Sequence, residues 1–490
     1  MRKLALAFTL TILTVACSTN PATGKKEFNI VSEGQEIAIG RESHEQILQQ
    51  FHVYQEKPEL NRLVEQVGMR IASSSQRPNL PWHFTVLDTP MVNAMALPGG
   101  YVYITRGMLE RINSEDELAG VLGHEIAHVT ARHSAQQISR AQLAQFGMLL
   151  GAVVAGPQAA QQYGQLAQLG VQLLFQRYSR GQESQADILG TGYIAGAHYN
   201  PVAMERMLMT LVRLDKHPAS GVDRYFMSHP DPSKRVHDVH AKVAELTGMT
   251  SAGTFAPPDR DAYVRLLDGV VTANSTEHLV IRGNEIYDRD HNIVLRAPRG
   301  WVPSAEPGVL FAMAPRGEQS STYFVAQEMD ARELQGRNVQ DAVRLRLQQM
   351  GLGYLGAREA MTGTGERFAV DVWQGQTQNG VVGVETTQFV HGDHVAVMMF
   401  VSPSLSRTNS PMAELLRQMV ISPSRARSAE PPRMHIGTVR NGESWADIAR
   451  RATGNSGDAE AVANLNGYDL DTAPPSGLTV KLPEAVAPSS

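Results

Sequence analysis

The sequence predicts a multidomain protein: a mainly α-helical first domain with a small β-sheet, then a small α+β domain, then a short βααβ unit. Three observations predict it. The 490 residues exceed what one hydrophobic core normally organises. Near His278 the texture changes from long helical periodicities to short alternating strands. A Pro-, Arg- and Ser-containing stretch, 424–434, then reads as a linker ahead of a last unit at 435–483.

The bulk chemistry is that of a folded protein, with 42% hydrophobic and 19% charged residues. A net charge of −5 carries no polybasic signal, which argues against a nucleic-acid partner.

Arg2 and Lys3 precede an apolar stretch, Leu4 to Ala16, that is too short to span a bilayer and reads as a secretory signal over 1–17. It ends at Thr14-Val15-Ala16-Cys17, which resembles a bacterial lipoprotein processing site, with Thr14 where Leu is usual. Cys17 is the only cysteine, which suits thioether lipidation and leaves the mature chain without a disulfide. The resemblance, with Ser18 following, implies a periplasmic lipoprotein anchored to the outer membrane through acylated Cys17.

Residues 18–32 read as a polar tether, and 33–277 as the first domain. Glu33 to Ser75 has helical spacing through Ile37, Ile47, Leu60, Val64 and Val67. Trp82–Leu87 and Tyr101–Thr105 alternate like strands, the second following a Gly99-Gly100 turn. Ser114 with Glu117 forms a capping box that starts a helix at Glu115, with Leu118, Val121, Leu122, Ile126 and Val129 as its buried stripe. Residues 143–175 are rich in Ala, Gln, Leu and Gly. The apolar run Phe146–Gly156 among them is too short for a membrane span and reads as packed helices or a surface-docking hairpin. Helices are expected over Arg180–Ala197, Pro201–Leu214 and 257–277. In 278–423, strands Phe368–Trp373 and Val395–Val401 flank helices Val339–Met350 and Pro411–Met419, with no catalytic constellation.

The chemistry lies in the capped helix. His124-Glu125-Ile126-Ala127-His128 projects two imidazoles from one face, since residues four apart differ by about 40° around the axis. Two such nitrogens can share one zinc ion, and Glu125 beside them can take a proton from a metal-activated water. The extended pattern HExxHxxGxxH is excluded, because Ala131 and Ser134 stand where it needs Gly and His. His133, nine residues after His124, lies on the opposite side of a continuing helix and reads, like Arg132, as a packing or hydrogen-bonding group. A later helix offers Glu183, which taken alone reads as a solvated helix carboxylate but, placed after Tyr178-Ser179-Arg180, would complete a two-His, one-Glu site with one position open for water. Asp187, one turn on, is placed to accept the free N–H of a ligating histidine.

Four stretches together resemble a known family: Asn93–Gly100 with Tyr101–Gly107, His124–His128, Tyr178–Asp187, and Ser228-His229-Pro230 with Arg235. Over about residues 27–248 the chain is similar to the zinc metallopeptidases (gluzincins of zincin-type fold) that include HtpX-like and CAAX prenyl proteases and the periplasmic BepA/LoiP-like proteases. Met95 stands where the family commonly has Phe. The resemblance implies a zinc metalloendopeptidase with one Zn2+ held by His124, His128 and Glu183, and Glu125 as base. It also implies that the strand before Gly99-Gly100 holds substrate by main-chain pairing. His229 or Arg235 is expected to approach the oxyanion or to cap the open zinc position; a turn histidine fixed by Pro230 is the plainer alternative.

The last unit resembles a LysM domain, through Asn441–Trp445 with Ile448-Ala449, Asn464-Leu465-Asn466 and Gly477–Pro483, and so implies peptidoglycan as a partner. Its Gly442-Glu443-Ser444-Trp445 replaces the usual Gly-Asp-Thr-Leu. By resemblance the substrates are misfolded or stalled envelope proteins, especially those of the outer membrane. The rival readings are an envelope assembly chaperone and a peptidoglycan-binding scaffold, each with a latent protease site.

Overall fold

The computed structural model describes residues 17–142, 178–216, 229, 232–248, 260–272, 275–276, 278–305, 309–315, 322–329, 334, 337–377, 380–391, 394–403 and 410–484. The signal segment before Cys17, the run at 143–175, and Ser228 and Pro230 lie outside the described residues. The chain divides into two compact units. One is Met1–Asp268 with Ile436–Ile448 and Gly457–Lys481; the other is Gly269–His435 with Ala449–Ser456 and Leu482–Ser490. The first division therefore falls at Asp268 rather than at 277, and most of the last module groups with the first unit.

The first unit opens with a hairpin, β1 (Cys17–Thr19) antiparallel to β2 (Lys26–Phe28). The expected tether is thus ordered at its start: buried Asn20 donates from Nδ2 to the Ala131 carbonyl at 2.9 Å. Helix α1 (Glu33–Gln50) starts at a Ser32/Gln35 capping box, and α2 (Pro58–Ser73) follows. The single helical stretch expected over 33–75 is interrupted because Pro58 disfavours helix at Lys57, and Val53 bridges Leu87 instead.

Strands β3 (His83–Leu87), β4 (Ala94–Leu97) and β5 (Tyr101–Thr105) form a sheet in the order β3-β5-β4. β3 runs parallel and β4 antiparallel to the central β5, so β4 is an edge strand. The Gly99-Gly100 turn between β4 and β5 needs φ of +83° and +104°, and a Cβ on Gly99 would lie 2.7 Å from the Ile37 Cα.

After α3 (Arg106–Arg111) comes α4 (Glu115–Thr130). Ser114 Oγ accepts from the Glu117 N–H at 3.1 Å, while Glu117 Oε2 reaches the N–H of Asn113 rather than that of Ser114. Every residue of α4 from Asp116 to Thr130 is buried, so the expected stripe is in fact the whole surface of a central helix. Helices α5 (Arg180–Gly196), α6 (Val202–Lys216), α7 (Pro232–Thr247) and α8 (Arg260–Leu266) complete the unit. The helix expected over 257–277 stops at Leu266, just before Gly269 at φ +76°.

The second unit is richer in strand than its sequence texture suggests. β6 (Leu279–Arg282), β7 (Glu285–Asp288), β8 (Ile293–Arg296) and β16 (Met419–Ile421) form a four-stranded sheet in the order β16-β8-β7-β6. A seven-stranded sheet has the order β12-β13-β14-β15-β11-β10-β9. Its strands are β9 (Trp301–Ser304), β10 (Phe311–Pro315), β11 (Tyr323–Met329), β12 (Gly353–Met361), β13 (Arg367–Thr377), β14 (Gly380–His391) and β15 (His394–Ser402). Helices α9 (Val339–Gln349) and α10 (Pro411–Arg417) lie where helical spacing puts them. The expected linker 424–434 is structured: α11 (Pro423–Ser428) is capped by Ser422, and Arg433 bridges Val271.

The last module runs β17 (Met434–Thr438), α12 (Trp445–Thr453), α13 (Ala459–Leu465) and β18 (Thr479–Pro483), with β17 paired to β18. Within the first unit, fully buried Lys481 donates from Nζ to the carbonyls of Glu110 at 2.8 Å and Ile112 at 3.1 Å. Arg260 Nη1 donates to Asn113 Oδ1 at 2.9 Å, and its Nη2 to the Asn466 and Thr479 carbonyls.

Candidate metal centre

Helices α4 and α5 meet at two glycines. A Cβ on Gly190 would fall 2.8 Å from the Gly123 carbonyl carbon, and one on Gly123 would fall 2.7 Å from Ile194 Cγ2. Only hydrogen at both positions permits this approach, which places His124 and His128 opposite Glu183 and Asp187. All four side chains are buried.

Four donor atoms converge. His124 Nε2 lies 3.0 Å from His128 Nε2 and 3.3 Å from His229 Nδ1. Glu183 Oε1 lies 3.4 Å from His128 Nε2 and 3.1 Å from His229 Nδ1, and Glu183 Oε2 lies 3.8 Å from His124 Nε2. One ligand atom from each of His124, His128, Glu183 and His229 lies within 4.8 Å of all the others. Ligand atoms about 2.0–2.1 Å from a tetrahedral zinc are about 3.3 Å apart, so the spacing and the N/O donor set fit that ion. Glu125 supplies a second indication. Both its carboxylate oxygens are buried without a hydrogen-bond partner among the described residues, and Oε1 lies 3.8 Å from His229 Nε2. A buried carboxylate left unpartnered belongs beside a polar reactant.

The outer nitrogens of the His124 and His128 imidazoles are engaged. His124 Nδ1 lies 2.8 Å from Asp187 Oδ1. Arg235 grips that carboxylate with two bonds, Nε to Oδ2 at 2.6 Å and Nη2 to Oδ1 at 2.7 Å, and its Nη1 pairs with Glu183 Oε2 at 2.6 Å. His128 Nδ1 lies 2.9 Å from His133 Nδ1, and the Tyr178 ring stacks on His128 with centroids 3.9 Å apart.

Burial is the main force on these groups. It pushes the Glu125 carboxyl up, against the opposing pull of His229 and His124. It pushes His128 well below its ordinary value and His133 down to about 4, so both imidazoles are neutral at physiological pH. For Glu183 burial pushes the carboxyl up and loses: His229 and Arg235 hold it well below the usual range. Asp187 is likewise held low, burial being outweighed by Arg235 and His124. His229 is raised, its burial outweighed by Glu183 and Glu125.

Residues 58–243, which contain every one of these groups, match the model of Peptidase family M48. This segment is an M48 metallopeptidase domain. The family is zinc-dependent, and the His124, His128, Glu183 and His229 cluster suits that ion. A beta-barrel assembly-enhancing protease of Yersinia pestis is 29% identical over 206 residues, covering 40% of this chain and 42% of the relative. Its Escherichia coli counterpart is 27% identical over 242 residues, covering 48% and 49%. A mitochondrial metalloendopeptidase OMA1 of Schizosaccharomyces pombe is 26% identical over 228 residues, covering 46% and 66%. The chain spans about half the length of the curated relatives it matches.

The structure brings His124, Glu125, His128, Glu183, Asp187, His229 and Arg235 into one cluster. Sequence reasoning missed Gly123, Gly190 and Gln185, and read His133 as a packing or hydrogen-bonding group without placing it at the site. Gly123 and Gly190 carried no chemical signal, although a glycine directly before His124 is a cue to close helix packing. His133 and Gln185 come together only because the chain turns after α4.

Proposed function

We propose that the chain is a zinc-dependent endopeptidase of the bacterial cell envelope that hydrolyses peptide bonds in misfolded or stalled outer-membrane proteins. The observation that carries this reading is the convergence of four donor atoms beside the unpartnered Glu125 carboxylate. His124, His128 and Glu183 would hold the ion. Bound zinc is a Lewis acid that polarises a peptide carbonyl and lowers the pKa of coordinated water to about 7. Glu125 takes the proton from the attacking water onto a carboxylate oxygen and returns it to the leaving amine. Burial favours that protonated intermediate form of Glu125. Asp187 fixes the His124 tautomer, and Arg235 orients Asp187 and Glu183 together. The edge strand β4 offers main-chain groups to an extended substrate.

His229 Nδ1 stands at the fourth corner of the donor set, where catalytic zinc needs room for solvent. In our reading His229 caps the site and yields to substrate, which also supports a latent protease that works partly as an assembly factor. If so, His229→Ala raises casein hydrolysis; if His229 assists the reaction, the same change lowers it.

The envelope setting draws on the n-region and apolar stretch before Cys17, and on relatives named for β-barrel assembly. Cys17 is the proposed lipid anchor, and 435–483 the proposed peptidoglycan contact. Among the described residues no helix is long and apolar enough to cross a membrane.

Zinc analysis with casein digestion tests the reading. Wild type is expected to hold about one zinc per chain and to cleave; Glu125→Gln is expected to keep the zinc and lose cleavage by about 10²-fold or more. Undiminished cleavage by Glu125→Gln overturns it.

A further inference from the structure

On a continuing helix His133 would point away from His128. It does not, because α4 ends at Thr130 and Arg132 adopts a left-handed φ of +59°. That conformation is uncommon for a residue with a side chain, and here the guanidinium holds it: Arg132 donates to Glu36 Oε1, the Val31 carbonyl and Ser18 Oγ. The turn brings His133 back with its Nδ1 2.9 Å from His128 Nδ1 and its Nε2 2.7 Å from Gln185 Oε1. His133 is fully buried.

For neutral imidazoles, with an ion taken to sit on His128 Nε2, the remaining proton positions follow from donor and acceptor capacity. An amide oxygen only accepts, so the hydrogen of this contact sits on His133 Nε2. A neutral imidazole with hydrogen on Nε2 has a bare Nδ1, which therefore accepts from His128 Nδ1. His128 then carries its hydrogen on Nδ1 and presents a bare Nε2 toward His124 Nε2 and Glu183 Oε1. Metal ligation needs that same tautomer.

We propose that His133 and Gln185 are positioning residues of the metal centre, a neutral two-step relay that fixes the tautomer and ring orientation of His128. His124 receives the equivalent service from the charged Asp187–Arg235 pair, so the two ligands are supported by opposite means. A neutral relay sets the tautomer without adding a further carboxylate to a cluster that already holds Glu125, Glu183 and Asp187. This inference rests on reading the cluster as a zinc site.

The test is zinc affinity of the full chain, measured by competition with a chromophoric chelator, together with visible spectra of the cobalt-substituted protein. His133→Phe keeps a ring but no acceptor, whereas His133→Asn keeps an oxygen near the Nδ1 position. His133→Phe is expected to weaken zinc binding about 10–100-fold and to shift the cobalt bands, with His133→Asn restoring both to within about threefold of wild type. Thermal unfolding of the metal-free proteins should distinguish this from a packing role by staying level across the set. Zinc affinity of His133→Phe equal to wild type overturns the relay. Should His133→Phe fail to fold, the pair Gln185→Met and Gln185→Glu decides: weaker zinc in the first alone supports it, and equal affinities refute it. A wild-type chain that binds no zinc would instead overturn the metal-site reading itself.

Discussion

Gly190 packs against Gly123 so closely that a methyl group on either would collide with the facing helix, and on this contact depends the distance from the two imidazoles to Glu183. Gly190→Ala gains up to about 1 kcal/mol of helix propensity but overpacks the interface by about 1–3 kcal/mol. The expected result is a net loss of stability with a larger loss of zinc affinity, read by unfolding and chelator competition. Gly192→Ala is the control: it lies on the same helix, an added Cβ would meet nothing within 4 Å among the described residues, and the change should be neutral or slightly stabilising. Equal behaviour of the two variants would show that the glycine contact does not position the site.

Arg235 holds Asp187 and Glu183 at once, with all three side chains buried. Replacing it with Met leaves two carboxylates without their cation, a loss of about 3–5 kcal/mol by analogy with broken buried pairs. Arg235→Lys should rescue little, because an ammonium cannot present three donors in a plane. Full recovery by Lys, measured as urea midpoint and zinc content, would argue against the bidentate grip.

Lys481 sets a pH dependence far from the metal. Burial, aided by Arg260, drives its ammonium well below 10.5 in the folded chain, while unfolding returns it to its ordinary range. Between those two values the unfolded chain binds more protons, so stability rises with pH across that window. Urea midpoints of wild type should therefore climb from about pH 7.5 to about pH 9.5 more steeply than those of Lys481→Met. Parallel slopes would contradict this.

The same lysine ties the last module to the carbonyls of Glu110 and Ile112, next to the start of α4. Deleting 435–490 should lower the melting temperature of the remaining chain by more than about 5 °C, besides any loss of sacculus binding. An unchanged melting temperature would mark the module as a mere appendage.

What the sequence disclosed follows from the range of the forces involved. Capping and periodicity are local, and they placed α4, α5, β3 and β5 within a residue or two, whereas β4 rested on the resemblance alone. Four-residue spacing put His124 and His128 on one face, and Glu183 with Asp187 on one face of another helix. The features that escaped are those that long-range contacts impose. The break before Pro58 is held by Val53 against Leu87, and the left-handed Arg132 by Glu36, Val31 and Ser18. The docking of the last module is held by Lys481, whose burial no local pattern announces. His229 was legible as a candidate, but no local pattern announces its position at the fourth corner.

The most direct measurement is a zinc titration of the purified full chain beside Glu183→Ala, with metal content determined on the same samples. The account predicts about one tightly bound zinc per wild-type chain and a loss of affinity of about 10²-fold or more in the variant. Retention of one zinc at wild-type affinity in Glu183→Ala would contradict it.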